Sequence, residues 1–386
     1  MSEINASNFE KEHGDLAPDL VGVTELTSPY FFVPPSGTTA ERPEDCEPGT
    51  LRFNTDIGSR EIFRGKTIGW EQIQRREGQY LGGGTGSNTG TGTRGLALGG
   101  YNGGSPGYTA TMDFFTIEIL GNAQDFGDLL SQKTGQGGNA DSTRGVITGG
   151  HPASSPYPAT DEMQFIAIAS LGDAVDFANL NTSMVGHYSG NDKTRGIVGA
   201  SESSNSNVIE YYTIQSLGNT VDFGDRASGA YKYTTGSVAS TTRGLIMGGY
   251  DVPSAATVNN IDFLTIQTLG NTQEFGDMTE TGSSQGTASN ATRGIRSGRY
   301  PTNNVIDFVT IATEGNAIDF GDMAVLNEYD GRSCANSTRY VHQGGSSTDN
   351  VMQFVEIATT GNTQDFGDLV VGRRGHASIS NGHGGL

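Results

Sequence analysis

The chain is poor in the residues that build disulfide scaffolds, metal sites and nucleic-acid surfaces. Only two cysteines, Cys46 and Cys334, occur in 386 residues, and they lie far apart, so neither a disulfide framework nor a thiolate ligand pair is expected. Basic residues are scarce: 23 Lys and Arg stand against 43 Asp and Glu, a formal charge of −20. Binding a phosphate backbone needs clustered cations, so nucleic acid is set aside as a partner. The acidity is read as a solvated surface. No stretch approaches the roughly 18 apolar residues of a membrane span. Residues 1–18, with Glu3, Glu10, Lys11, Glu12 and Asp15, hold no signal-peptide apolar run, so no membrane span and no secretion by the usual route are expected. The histidines (His13, His151, His187, His342, His376, His383) are scattered without ligand spacing, and neither a metal nor a cofactor is expected.

What is abundant is glycine, 58 residues, without a G-X-Y period. Glycine at that level supplies the positive φ of tight turns between short strands. Three blocks recur six times in fixed order. The first is TRGLALGG from Thr93, TRGVITGG from Thr143, TRGIVGA from Thr194, TRGLIMGG from Thr242, TRGIRSG from Thr292 and TRYVHQGG from Thr338. The second is an apolar strand around an aromatic: MDFFTI, MQFIAI, IEYYTI, IDFLTI, IDFVTI and MQFVEI. The third is a turn of form GNxxDFGD, with the variant GDAVDFAN at Gly172.

The aromatic of block two and the Phe of block three are twelve residues apart in every copy, from Phe114/Phe126 to Phe354/Phe366. A spacing kept that strictly implies a rigid hairpin-like unit. The block-two strand is apolar on both faces, as in Ile261, Phe263, Leu264 and Ile266, so it is buried on both. Repeats of this length with two-faced strands are expected to be the blades of a six-bladed β-propeller. The fourth strand of each blade is assigned to the polar stretch after DFGD, such as residues 132–139 or 282–289. Residues 371–380 compete with 79–84 to supply the last one.

Length varies in one place. The Phe of DFGD precedes the next Arg by 18 to 20 residues, whereas that Arg precedes its block-two aromatic by 15 to 21. The freedom sits in segments 101–111, 151–162, 200–207, 250–260, 299–304 and 346–350, and insertions collected on one face mark a candidate binding face. Tyr101, Tyr108, His151, Tyr157, Tyr250 and Tyr300 lie in them, beside Ser and Asn, a composition suited to sugar or protein contact.

Ahead of the repeats, residues 1–48 read as an extended Pro-rich arm with one apolar patch, Tyr30-Phe31-Phe32-Val33, expected to pack on a partner or another copy of the chain. Residues 49–78 read as a small β-meander with strands around Leu51/Phe53, Ile62/Phe63 and Trp70/Ile73, too small to stand alone. Tyr30, Phe31, Phe32, Leu51, Phe53 and Trp70 are the candidate attachment residues, and residues 79–386 the propeller.

The diglycine closing block one is similar to the kelch repeat, although the Trp of typical kelch blades is absent, the sole one being Trp70. The combination TRGLxxGG, IDFxTI and GNAxDFGD resembles more closely the kelch-like repeats of virion structural proteins of marine cyanobacterial phages, from Thr93 to the C-terminus. GTLRFNTDIGSREIFRGKTIGWEQI looks like the attachment-proximal module of phage appendage and capsid-associated proteins. Ala178-Asn179 in place of Gly-Asp, Tyr340 in place of Gly, and weak diglycines in the third and fifth repeats depart from the pattern. The resemblance implies a virion protein, attached through its N-terminal part to other capsid or tail proteins. Its propeller would face outward, to bind a host-surface glycan or protein as a tail fibre or spike component, or to decorate the capsid as a knob. A non-viral kelch-type interaction scaffold is the alternative.

The chemistry-bearing readings are weaker. DFGD matches the magnesium-binding kinase triplet, but the block recurs in all six repeats, four times as DFGD and once each as DFAN and EFGD, and there is no phosphate loop or HRD-type loop. One or two Asp per turn is too few for a calcium cage. Asp125, Asp222 and Asp319 are instead expected to cap the turn's N–H groups, with Arg94, Arg144, Arg195, Arg243, Arg293 and Arg339 pairing with these carboxylates. No sialidase Asp-box and no GxSxG elbow occur, and the chain is not expected to be an enzyme.

Overall fold

The computed structural model describes residues 35–43, 46–56, 59–66, 69–73, 93–104, 107–199, 206–227, 231–232, 236–301, 303–325, 330–345 and 348–382. Tyr30, Phe31, Phe32 and the competing strand at 79–84 lie outside them. The chain divides into two compact units, residues 1–76 and 77–386.

In the first unit Leu51–Asn54, Ser59–Phe63 and Trp70–Ile73 pair as an antiparallel meander. Ser36–Gly37 adds a short parallel strand on Phe53 and Asn54, so the end of the expected arm belongs to this sheet. Little apolar area is enclosed, and polar bonds do much of the holding. Buried Glu61 accepts from the Arg42 guanidinium and from Asn54 Nδ2 at 3.1 Å. The Arg42 bond, more than Asn54, keeps Glu61 below the usual carboxylate range despite burial.

The second unit holds six antiparallel sheets, sheet 1 to sheet 6 in the order of their TRG strands, each with four strands in the same order: inner strand, TRG strand, aromatic strand, outer strand; a separate two-stranded ribbon pairs Lys133–Thr134 with His151–Pro152. Sheet 4 carries an extra two-residue strand, Tyr231–Lys232, on its TRG strand. The inner strand comes from the preceding repeat, as the polar stretches after DFGD predict: Gly137–Ala140 joins sheet 2 and Gly286–Ser289 joins sheet 5. Ala377–Ser380 pairs with Arg94–Leu98, so the C-terminal end completes sheet 1. Block three is a turn followed by a strand, since Gln124–Asp128 and its equivalents are the outer strands.

The twelve-residue spacing is a cross-strand aromatic pair. Phe114 and Phe126 meet edge to face at 6.0 Å, and Phe308 and Phe320 at 5.8 Å, with the other four repeats alike; such pairs add about 0.5–1.5 kcal/mol beyond area burial. Each sheet packs on the next through an apolar cluster. One joins Phe114 and Phe126 to Ile147 and Ile166, and another joins Phe354 and Phe366 of sheet 6 to Phe115 and Ile117 of sheet 1. The aromatic strands are therefore buried on both faces, as their two-faced pattern requires.

Small residues let the sheets approach. In DFGD, a Cβ on Gly127, Gly224 or Gly276 would lie 2.5 Å from the carbonyl oxygen of Gly172, Gly270 or Gly315 in the next sheet. In the TRG strand, a Cβ on Gly95 would meet the Phe115 ring of its own sheet and Cys334 Sγ of sheet 6, 2.8 Å away. The sixth repeat reverses this exchange. Tyr340 stands where the others have Gly, and its cross-strand partner is the smaller Val355. The Tyr340 hydroxyl is satisfied by Ser333 Oγ and the Gly286 carbonyl.

Candidate functional site

Strand direction sorts the loops. Neighbouring strands are antiparallel, so every inner strand begins, and every TRG and outer strand ends, at one end of the sheets. The length-variable loops emerge there, and the GN and TRG turns lie at the opposite end.

The turn end is uniform. All six repeated arginines stack over the aromatic of their own repeat, from 4.3 Å (Arg195 on Tyr211) to 5.2 Å (Arg94 on Phe114). Each guanidinium also donates to the carbonyl of the Ile that directly follows the neighbouring aromatic strand. Arg144 reaches Ile214 O at 3.1 Å, Arg293 reaches Ile357 O at 2.9 Å, and Arg339 of sheet 6 reaches Ile117 O of sheet 1 at 2.9 Å. The DFGD carboxylate expected from the sequence gives way to a main-chain oxygen some 70 residues away. Asp125, Asp222 and Asp319 are exposed on the outer strands.

The cap on the outer strand comes from the Asn of the GN turn. Asn271 Oδ1 accepts from the Asp225 N–H at 3.0 Å, Asn316 from Asp277 at 3.0 Å, and Asn122 of sheet 1 from Asp368 of sheet 6 at 3.1 Å. Asp173 does the same for Asp128 where GD replaces GN. The Asn had been visible as a repeated letter, but its partner belongs to the previous sheet.

At the variable end, four of the six loop candidates come together at the joint between sheets 1 and 2. Tyr101 and Tyr108 form a main-chain bridge and meet edge to face at 5.6 Å. His151 lies 5.5 Å from Tyr108, and Tyr157 lies 5.9 Å from His151 and 6.5 Å from Tyr108. Arg374, which sequence reasoning missed, stacks over Tyr101 at 4.9 Å. Tyr101, Tyr108 and His151 are half-buried and Tyr157 is 53% exposed. Burial, with Tyr157 and Tyr101 nearby, raises the Tyr108 hydroxyl above its usual pKa, so it remains a neutral donor. The cluster is amphipathic: flat ring faces, hydroxyls and one guanidinium on a partly open surface. Tyr250 lies on the extended hairpin of sheet 4, and Tyr300 lies outside the sheet strands, in an isolated bridge to Ser283, 53% exposed.

Of the attachment candidates, Leu51 is 49% exposed, while Phe53 and Trp70 are half-buried. Trp70 packs 5.5 Å from Phe63, under Arg52, and donates to the Pro43 carbonyl at 3.2 Å. Among the described residues no group of three His, Cys, Asp or Glu is placed to hold a metal ion. No helix of the described residues is long and apolar enough to cross a membrane. The chain matches no protein-family model and no curated protein sequence.

Proposed function

We propose that the chain is a non-catalytic binding protein of a phage virion: a closed six-bladed propeller displayed outward, with the N-terminal sheet and arm attached to the particle. Propeller closure is supported by the joint between sheets 6 and 1, which uses the same apolar cluster, Arg-to-carbonyl bond and Asn cap as the interior joints. The virion assignment rests on the resemblance of the repeats to cyanophage virion structural proteins and of residues 49–73 to a module of phage appendage and capsid-associated proteins.

The observation that carries a binding role is the convergence of Tyr101, Tyr108, His151 and Tyr157 beside Arg374 on the end where loop length varies. Aromatic rings with hydroxyl tips offer a large contact area at low conformational cost and suit the alternating polar and apolar faces of a sugar. The ligand class is accordingly a host-surface glycan. Purified full-length protein is expected to bind cyanobacterial cells at micromolar concentration, and to lose that binding in a Tyr108→Ala, Tyr157→Ala double variant. Cell binding that is absent, or unaffected by the double variant, removes the adhesion reading. Capsid decoration is then the reading left, and immunogold labelling of intact particles separates capsid from tail.

A further inference from the structure

The inner strands show a second feature that the repeat does not explain. At the middle of each inner strand the residue is Gly138, Ser189, Ser237, Thr287, Ser333 or Ser378, all in one register position. Most of these hydroxyls staple one inner strand to its neighbour. Ser189 Oγ donates to the Gly138 carbonyl at 3.1 Å, and Thr287 Oγ1 accepts from the Ser237 N–H at 2.9 Å. Together they line a cavity of about 50 Å³ to which all six sheets contribute. That is room for a few waters or one small polyatomic ion.

One strand position before that ring, the side chain is Gly, Ala or Tyr in the other sheets, and Arg332 in sheet 6. Arg332 is buried, lines the cavity, and donates to its neighbour Gly331's carbonyl at 3.2 Å; its one ion-pair partner among the described residues, Asp330, is 3.6 Å away. The same cavity is lined by Gln136 and His187, 3% and 2% exposed. Among the described residues, both amide atoms of Gln136 and the Nδ1 of His187 have no hydrogen-bond partner. His187 keeps its orientation through Nε2, 2.9 Å from Thr148 Oγ1. Burial first, and then Arg332, lowers its pKa to about 3, so the ring is neutral at ordinary pH. A buried guanidinium repels a cation, and the buried, unpartnered polar atoms of Gln136 and His187 carry a cost that a bound anion would lower.

We infer that this cavity is a binding site for one small oxyanion, phosphate or carboxylate in class, held by Arg332 with Gln136 and His187 as neutral partners. The protein's overall negative charge opposes anions at long range, so occupancy depends on these local donors and is favoured by salt screening.

The test is titration of the full-length protein with sodium phosphate, sodium acetate and, at matched ionic strength, sodium chloride, read by calorimetry and by melting temperature. Saturable one-to-one binding of phosphate or acetate is expected, and the tighter of the two names the class. Affinity is expected to fall at least tenfold in Arg332→Gln. Should that variant fail to fold, Gln136→Leu is expected to weaken binding several-fold. Three results overturn the site: equal responses to all three salts, unchanged affinity in whichever variant folds, or a crystal grown in selenate whose anomalous map is empty at the cavity.

Discussion

The two ends of the six sheets are built on different rules. At the turn end every joint uses the same parts: an arginine over its own aromatic, a guanidinium on the next sheet's carbonyl, and an Asn or Asp side chain on the previous sheet's outer strand. At the other end no part is shared by all six: Arg332, His342 and the ring cluster around Tyr108 occur once, and the buried His187 and His376 hold one position, just before the inner strand, in sheets 3 and 1. Repeated residues therefore record how sheets join, and unrepeated polar residues record where the molecule has been individualised. In a repeat protein a lone buried cation or imidazole says more about function than a motif present six times.

That contrast predicts that acid attacks the loop end first. Burial, followed by the nearby Arg332 charge, lowers the pKa of His187 and of His342 to about 3, and burial takes His376 well down too. A base depressed in the folded state binds fewer protons there than when unfolded. Its stabilisation is therefore complete above the unfolded value near 6.5 and is lost as pH falls from there towards 3. At pH 5 the loss is about 2 kcal/mol for each histidine. Asp113 and Asp349, raised by burial, act in the opposite sense nearer the carboxylate range and trim the total. Urea midpoints at pH 7.5 and pH 5 measure it, and a flat profile would mean that these rings are not buried neutral.

The turn end breaks through its glycines. Gly276 sits at φ 153° with its Cβ direction 2.5 Å from the Gly315 carbonyl, so Gly276→Val is expected to cost about 3 kcal/mol or more, through both backbone strain and the forced separation of two sheets. The second repeat supplies its own control. It has Ala178 at the equivalent position, and there the joint uses Asn219 on the Asn179 N–H and the Thr220 N–H on the Asn179 carbonyl. Ala178→Gly is accordingly expected to change stability by less than about 1 kcal/mol, measured in the same denaturant series.

Much of this was legible in the sequence, and the reason is locality. The Phe-to-Phe spacing is a cross-strand pair within one hairpin, and the two-faced aromatic strand reports burial between layers; both are properties of a single repeat. The partners of Arg144 and Asn271 were not legible, because they lie in the next or previous sheet and are main-chain atoms that carry no letter. Arg332 gave no signal because it is one Arg among many until alignment of the inner strands shows small or aromatic residues at its equivalents. The convergence of Tyr101, Tyr108, His151 and Tyr157 required knowing that consecutive sheets are neighbours; the loop assignment named the residues and the packing brought them together. Ser36–Gly37 was not legible as a strand of the N-terminal sheet, because a two-residue parallel strand has no periodicity to read.

A smaller effect is expected from the arginine joint. Arg293→Met keeps most of the apolar stem and removes the cation over Phe308, together with donors to Ile357 O and Ala358 O. A loss of about 2 kcal/mol is expected, from the stacked cation and from carbonyls left without a partner. An unchanged midpoint would mean that the stack and bonds are replaced by water at no cost.

The smallest stability effect, and the one that separates the two ends most sharply, belongs to Tyr157→Ala. The ring is 53% exposed and its φ of 60° is in the left-handed region, where Ala gains nothing over Tyr. Removing the ring takes away contacts with Tyr108 and His151 and little buried area, so the change in folding stability is expected to stay within about 0.5 kcal/mol. Binding to cells is expected to fall several-fold, because an exposed aromatic in a ring cluster contributes mainly when a ligand covers it. Measured side by side, Arg293→Met is expected to lose stability and keep binding, and Tyr157→Ala to keep stability and lose binding. If both variants lost both properties, the loop end would be part of the scaffold, and the division between repeated joints and individualised loops would fail.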